Sequence, residues 1–285
     1  MAAAGRGRRP GAWRAVQILA AGSLLALLLL PLAALLASVS PSAIGAAALA
    51  PGMRAALAFT LLASALSLGA IAVLGLPLGY LLARRPFRGR TLVESAVTLP
   101  IVLPHLVGGL ALLLLFAPSA PLGALAIRAG LPIVQTIWGT VLVMIFVSAP
   151  YAVLASESAF RAVDARLIET ARSLGASPAS AFATVTAPVA ARGISAGLLL
   201  AWARSVSEIG GFLILANVVY PSSGYAGPVT SPVSVYVFSL YQIGDLPGAA
   251  AAASVLVLLA FALFVAARLA ARRGSPAWAG LGRFV

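Results

Sequence analysis

Six long apolar segments, separated by shorter polar connections, dominate the hydrophobic pattern of this chain. Each is long enough for a helix that crosses the hydrocarbon core of a bilayer, which needs about 20 apolar residues. The pattern therefore predicts six transmembrane helices, over residues 13–39, 55–83, 93–116, 133–154, 194–216 and 247–270. Prolines fall inside or near four of them and predict bends there: Pro31, Pro77, Pro100, Pro104 and Pro150.

The composition agrees with a membrane protein, because 62% of the residues are hydrophobic and only 9% are charged. Soluble domains carry roughly 25% charged residues. The predicted fold is an all-α integral membrane protein, with one six-span domain over 14–270 between a tail at 1–13 and a tail at 271–285. The first segment has an alternative interpretation as a signal peptide, but its apolar run is longer than the ~7–15 residues of a typical signal core.

The arginines indicate how the chain is oriented. All nineteen basic residues are Arg, and sixteen of them lie in alternate segments, namely the two tails and the second and fourth connections. Only Arg54 and Arg128 lie in the segments on the opposite side, and Arg204 lies within a predicted span. Cytoplasmic segments carry the excess of basic residues, so both termini and the fourth connection are predicted to be cytoplasmic. Clusters placed between apolar runs indicate orientation rather than nucleic-acid binding.

The fourth connection, residues 156–192, is the longest on that side and is predicted to form two short helices. Asp164 is a suitable N-cap for the first, which runs to Leu174, and Gly175 suits a left-handed stop. Ser177 caps the second helix, Pro178 occupies its first turn, and Pro188 is predicted to end it. Such an elbow either docks in a groove of another protein or lies on the lipid surface as an ordinary amphipathic loop.

The same connection resembles a known motif. Glu169-Thr170-Ala171, three residues, Gly175, nine residues and Val185-Thr186-Ala187-Pro188 are similar to the EAA loop of bacterial and archaeal ABC importer permeases, with departures at Thr170, Val185 and Ala187. The resemblance implies a coupling helix that seats in a cleft of a cytoplasmic ATPase subunit. The residues that it assigns to coupling are Glu169, Thr170, Ala171, Leu174, Gly175, Ala176, Ser177, Pro178 and Pro188.

The resemblance extends over roughly residues 55–270 and points to a subgroup. The segment from Ala203 to Gly210, ARSVSEIG, is similar to a pattern of the oxyanion permeases for molybdate, tungstate and sulfate, with Ile209 in place of the usual Phe. Residues 99–105 resemble the proline-marked segment of the wider family, with Pro104-His105 leaning toward the tungstate/molybdate branch, and residues 236–240 also resemble the oxyanion subgroup. The implied assembly is a homodimer in a prokaryotic cell membrane, with two ATP-binding subunits that hold ATP and Mg and an extracytoplasmic substrate-binding protein.

Arg204 and Glu208 are four residues apart, so they share one helix face. A charge near mid-membrane costs at least ~2.5–3.5 kcal/mol on insertion scales, and it should therefore face protein or water. The pair is either a structural ion pair or a polar lining or gate of an anion pathway. The residues predicted for the pathway are Pro104, His105, Arg204, Ser207, Glu208 and Gly210. His105 beside Pro104 is more typical of a structural histidine.

Missing residue types limit the chemistry of this chain. A chain without Lys lacks the Walker A loop, and a chain with no Cys and one His offers no metal cluster or Ser–His–acid arrangement. The expectation is a transport subunit that is not itself an enzyme and binds no cofactor or metal. The alternative is an ATP-independent secondary transporter or a membrane scaffold; secondary transporters often show inverted repeats and buried acids, whereas Glu208 is the single acid placed firmly within a span.

Overall fold

The computed structural model describes residues 10–273, and almost all of its regular structure is helical. Residues 1–9 and 274–285, which include most of both predicted tails, lie outside the described residues. The helices are α1 Pro10–Ala37, α2 Pro41–Leu49, α3 Pro51–Arg84, α4 Arg90–Val102, α5 His105–Phe116, α6 Pro121–Arg128, α7 Ile137–Arg161, α8 Ala165–Ser173, α9 Pro178–Ala181, a π-helical turn Phe182–Thr186, α10 Ala187–Val206, α11 Gly210–Leu215, α12 Val233–Gln242 and α13 Leu246–Arg273.

Five helices in the described part of the chain are long and apolar enough to cross a membrane, and a sixth candidate is a bent pair. The five correspond to the first, second, fourth, fifth and sixth predicted spans. The third predicted span, 93–116, is not one helix, because the chain bends by 114° between α4 and α5. Pro104 lacks an N–H and forces Leu103 into an extended conformation (φ −70°, ψ 137°), so the helix cannot continue through this point.

The fifth predicted span, 194–216, was wrong at both ends. The spanning helix runs from Pro178 to Val206 without a break, and α11 is a separate short helix after it. Pro188 therefore does not end the second short helix. The π-helical turn, in which Ala187 N–H bonds to Phe182 C=O, widens the helix just before Pro188 and accommodates a residue without an N–H. Arg204 accordingly lies in the last turn of α10 rather than in the middle of a longer helix.

The core sits around α7, which packs against α3 on one side and α10 on the other. Glycines permit the close approach, which small residues favour in membrane helix pairs. A Cβ on Gly79 of α3 would lie 2.1 Å from Ser156 Oγ, and one on Gly197 of α10 would lie 2.3 Å from Ala155 Cβ. These contacts pack α3 and α10 closely against α7, whereas α1 exposes its side chains along nearly its whole length.

The connection between α11 and α13 holds more structure than its Pro-, Gly- and Ser-rich sequence indicates. Val219 and Thr230 pair as an antiparallel bridge, and Tyr225 packs edge-on against Phe59 of α3 at 5.1 Å between ring centroids. Helix α12 follows, and Thr60 Oγ1 accepts a hydrogen bond from the Val233 N–H at 2.9 Å. This part of the chain thus folds back onto α3.

Candidate coupling and pathway sites

The predicted coupling loop, residues 156–192, has the two caps and the turn that its sequence indicates. Asp164 accepts a hydrogen bond from the Arg166 N–H at 2.9 Å at the start of α8, and Ser177 accepts one from the Ser180 N–H at 3.1 Å at the start of α9. Gly175 lies between the two helices with φ of 92°, a left-handed conformation that side chains rarely adopt. The elbow therefore depends on a glycine at this position.

The turn of this loop faces away from the helix bundle. The Leu174 side chain is 84% exposed, the highest exposure among the large hydrophobic residues of the described chain. Glu169 is also exposed, and no residue of 10–273 forms a hydrogen bond or ion pair with its carboxylate. An exposed apolar side chain and an unpaired exposed acid thus lie within five residues of each other in this loop.

An aromatic cluster joins this loop to the spans. The ring of Phe182, in the π-helical turn, lies 5.1 Å from that of Tyr80 on α3, and the Tyr80 ring lies 5.2 Å from Phe160 on α7, both edge-on. Such pairs stabilise by about 0.5–1.5 kcal/mol beyond the buried area. Sequence reasoning missed this cluster, because its members are more than 20 residues apart in a chain where aromatic residues are scattered.

An ion-pair network lies at the same end of the bundle. Arg90 Nε contacts Glu94 Oε1 at 2.8 Å, Arg90 Nη2 reaches Glu157 Oε1 at 3.3 Å, and Arg161 bonds to Glu157 and contacts Glu94. Arg84 Nη2 donates to the carbonyls of Phe160 and Val163 at the end of α7. The network ties α4 to α7, and α7 leads directly into the predicted coupling loop. These contacts span some 67 residues of sequence and were also missed.

The predicted pathway residues meet at the breaks between α4 and α5 and between α10 and α11. Arg204 Nη2 donates to Glu208 Oε2 at 2.8 Å and lies 3.0 Å from both ring nitrogens of His105. The Arg204 guanidinium is therefore in direct contact with the His105 ring through Nη2. His105 Nδ1 lies 3.6 Å from Glu208 Oε2. The breaks thus bring His105 into contact with Arg204 and Glu208, which lie about a hundred residues further along the chain.

Glu208 is fixed from three sides. Its Oε1 accepts from the Gly211 N–H at 2.8 Å, its Oε2 accepts from Arg204, and its backbone carbonyl accepts from Ser234 Oγ of α12 at 2.5 Å. The side chain has no exposed surface. A buried carboxylate with these partners holds the ends of α10, α11 and α12 in one arrangement.

The remaining predicted pathway residues have less direct roles. Pro104 precedes the first turn of α5, and a Cβ on Gly210 would lie 2.7 Å from His105 Cβ, so both lie beside the cluster. Ser207 is exposed, and its hydroxyl donates to the Arg204 carbonyl rather than to a side chain. Gly109 and Gly211 were missed: a Cβ on Gly109 would lie 2.7 Å from the Gly211 Cα, so these two glycines allow α5 and α11 to touch.

The bundle of spanning helices, the broken helices around a buried ion pair and the exposed elbow define a transmembrane subunit of a transporter. Residues 75–275 match the family of binding-protein-dependent transport system inner membrane components, and the chain belongs to this family. The match covers both sites.

Several proteins are similar to this chain over most of their length. A probable molybdenum ABC transporter permease of Haloferax volcanii is 37% identical over 228 residues, which are 80% of each chain. A molybdate/tungstate permease of Pyrococcus furiosus, WtpB, is 35% identical over 71% of this chain and 72% of its own. The molybdenum permease ModB of Mycobacterium tuberculosis is 35% identical over 75% of this chain and 78% of its own.

The fold is also that of a solved transporter. The crystal structure of a bacterial ABC transporter that imports the acidic polysaccharide alginate superposes with a TM-score of 0.68, covering 92% of this chain and 96% of that chain at 18% identity. At this identity the likeness concerns the fold alone. It confirms the predicted all-α fold of an importer permease, and nothing in these comparisons supports the alternative of a secondary transporter or scaffold.

Proposed function

We propose that this chain is the transmembrane permease subunit of a binding-protein-dependent ABC importer for a tetrahedral oxyanion, with molybdate or tungstate as substrate ahead of sulfate. The observation that carries the substrate class is the similarity, at 35–37% identity, to relatives named for molybdenum and molybdate/tungstate transport. The position of Arg204 at the junction of the broken helices supports this substrate class, because a guanidinium forms charge-assisted hydrogen bonds with an oxyanion.

The assembly that we propose is a homodimer, with two ATP-binding subunits on the cytoplasmic side and an extracytoplasmic binding protein on the other. A solved neighbour of the same fold is described in complex with a periplasmic binding protein that carries an alginate pentasaccharide. ATP and Mg belong to the partner subunits. The exposed Leu174 and unpaired Glu169 form the surface that we assign to the ATP-binding subunit.

Force from ATP binding has a continuous path through this fold. Movement of the coupling loop passes through the Phe182–Tyr80–Phe160 cluster to α3 and α7. The ion-pair network then carries the displacement of α7 to α4, which ends at the break before His105. His105 begins α5 on the other side of that break and contacts Arg204 of α10, so a displacement of α4 reaches the pathway cluster through His105. We propose that this sequence of contacts opens and closes the anion pathway.

Orientation is tested by labelling single cysteines, since the chain has none of its own. Ser173→Cys lies at the end of α8, and Ser119→Cys lies between α5 and α6; both side chains are exposed. In intact cells a membrane-impermeant maleimide is expected to label position 119 only, and position 173 only after permeabilisation. Labelling of position 173 from outside would rule out a coupling role for the loop.

The function is tested by uptake of radiolabelled molybdate and tungstate in cells that co-express the permease with its ATP-binding subunit and binding protein. Wild type is expected to give ATP-dependent uptake. Glu169→Lys reverses the unpaired charge on the coupling surface, and it is expected to abolish uptake and co-purification of the ATP-binding subunit while the permease still inserts. Ala191→Lys introduces the same lysine side chain at an exposed position of the same connection, outside the motif, and serves as the control. Normal uptake by Glu169→Lys would contradict the coupling assignment.

A further inference from the structure

The guanidinium of Arg204 is held through only one of its three nitrogens. Nη2 makes the contacts to Glu208 and His105. Nε and Nη1 form no hydrogen bond with any residue of 10–273. A guanidinium carries five N–H donors and no acceptor, so three donors on Nε and Nη1 remain without a protein partner.

The three side chains of the cluster are exposed in a graded order. Glu208 has 0% of its side chain exposed, Arg204 has 16% and His105 has 49%. An anion can therefore reach the imidazole and part of the guanidinium from solvent, whereas the Glu208 carboxylate is covered.

We propose that Arg204 is a transient binding site for the transported oxyanion and that Glu208 keeps the affinity of this site low. The inference rests on the proposed function and identifies Glu208 as the residue that determines how readily the oxyanion is released. A tetrahedral dianion accepts hydrogen bonds from the free donors of a guanidinium. The Glu208 carboxylate, 2.8 Å from Nη2, already neutralises that charge and repels a second anion.

The pairing of Arg204 with Glu208 allows the anion to be released during transport. An uncompensated arginine in a low-dielectric site would hold a dianion tightly and slow its release. A resident carboxylate that never leaves the protein removes most of that attraction while the free donors still orient the anion. No other ion pair in the described residues involves Arg204, so Glu208 alone supplies this compensation.

The test is equilibrium binding of tungstate to the purified full-length permease in nanodiscs, without ATP or partner proteins. Glu208→Gln keeps a carbonyl that can accept from Gly211 N–H but removes the charge. This variant is expected to bind tungstate at least about tenfold more tightly than wild type, and tungstate should raise its Tm, as a ligand of the native state does. Chloride at the same ionic strength should raise the Tm of this variant little.

The double variant Arg204→Gln/Glu208→Gln is the matched control, and it is expected to bind tungstate as weakly as wild type. Glu208→Asp withdraws the carboxylate from Nη2, and its affinity for tungstate is expected to lie between those of wild type and Glu208→Gln. It also provides the measurement if Glu208→Gln does not insert. Equal affinity of all single variants and wild type, or tight binding by the double variant, would overturn the inference.

Failure of this inference is distinguishable from failure of the proposed function. Wild type that takes up no oxyanion with its partner subunits would contradict the proposed function. Wild type that transports, together with a Glu208→Gln variant that binds no more tightly, would contradict only the role of Glu208. In the uptake assay, Glu208→Gln is expected to show lower turnover with co-purification of the ATP-binding subunit unchanged.

Discussion

Replacing Gly175 with valine is expected to abolish ATP-driven uptake while the permease still inserts and accumulates. Gly175 has φ of 92° between α8 and α9. A residue with a Cβ pays about 1–2 kcal/mol in the left-handed region, and a β-branched one more. The turn is expected to relax to another conformation and to change the angle between the two helices. Because the exposed Leu174 adjoins the turn, the surface offered to the ATP-binding subunit changes with it.

The chain offers a control with the same backbone penalty. Gly244 has φ of 83° in the connection between α12 and α13, and a Cβ at either glycine would meet no atom within 4 Å. Gly244→Val is thus matched to Gly175→Val in strain and in space, but lies outside both the coupling motif and the ion-pair network. Uptake and co-purification of the ATP-binding subunit are measured for both. Equal loss in the two variants would attribute the effect to general backbone strain and not to coupling.

The conformation of the coupling loop could be predicted from sequence because it depends on interactions between residues close together in the chain. Asp164, Ser177 and Gly175 each act on residues within four positions of themselves, so capping and turn chemistry predict the elbow without knowledge of the rest of the fold. Whether the elbow binds an ATPase subunit is not contained in these contacts, and that part stays a proposal.

The breaks in the third and fifth spans were not predicted, for a physical reason. Hydropathy measures whether a segment prefers lipid and does not register where its helix ends. Pro104 was visible, but prolines often sit in membrane helices with only a bend. Pro188, by contrast, was expected to end a helix and instead lies within one. Neighbouring elements decide these outcomes: α11 packs on α5 through Gly211 and Gly109, which the sequence alone does not bring together.

The pathway cluster was predicted only in part. The spacing of Arg204 and Glu208 placed them on one face, and the structure has them 2.8 Å apart. The contact to His105 and the hydrogen bond from Ser234 require the broken helices and α12, neither of which was anticipated. Long-range contacts such as these follow from tertiary packing. The local sequence pattern therefore indicates which residues belong to the cluster, but it does not predict their contacts.

Replacing Arg204 with methionine is expected to destabilise the permease strongly. The Glu208 side chain has no exposed surface, and loss of its cationic partner leaves a buried carboxylate without charge compensation. Removal of one partner of a buried pair costs about 3–5 kcal/mol. A lower Tm is expected in nanodiscs. Arg161→Met is the control, because the Arg161 side chain is 50% exposed and Glu157 keeps Arg90, so a loss of at most about 1 kcal/mol is expected.

The double variant Arg204→Met/Glu208→Gln separates stability from transport. It removes both charges, and replacement of a whole buried ion pair by uncharged side chains of similar volume is often neutral. Its Tm is therefore expected to return most of the way to that of wild type. Uptake should not return, because the guanidinium that we assign to the oxyanion is absent. Full recovery of uptake together with stability would show that the pair serves packing alone, whereas a stable protein without transport is expected if the charges are kept for the anion.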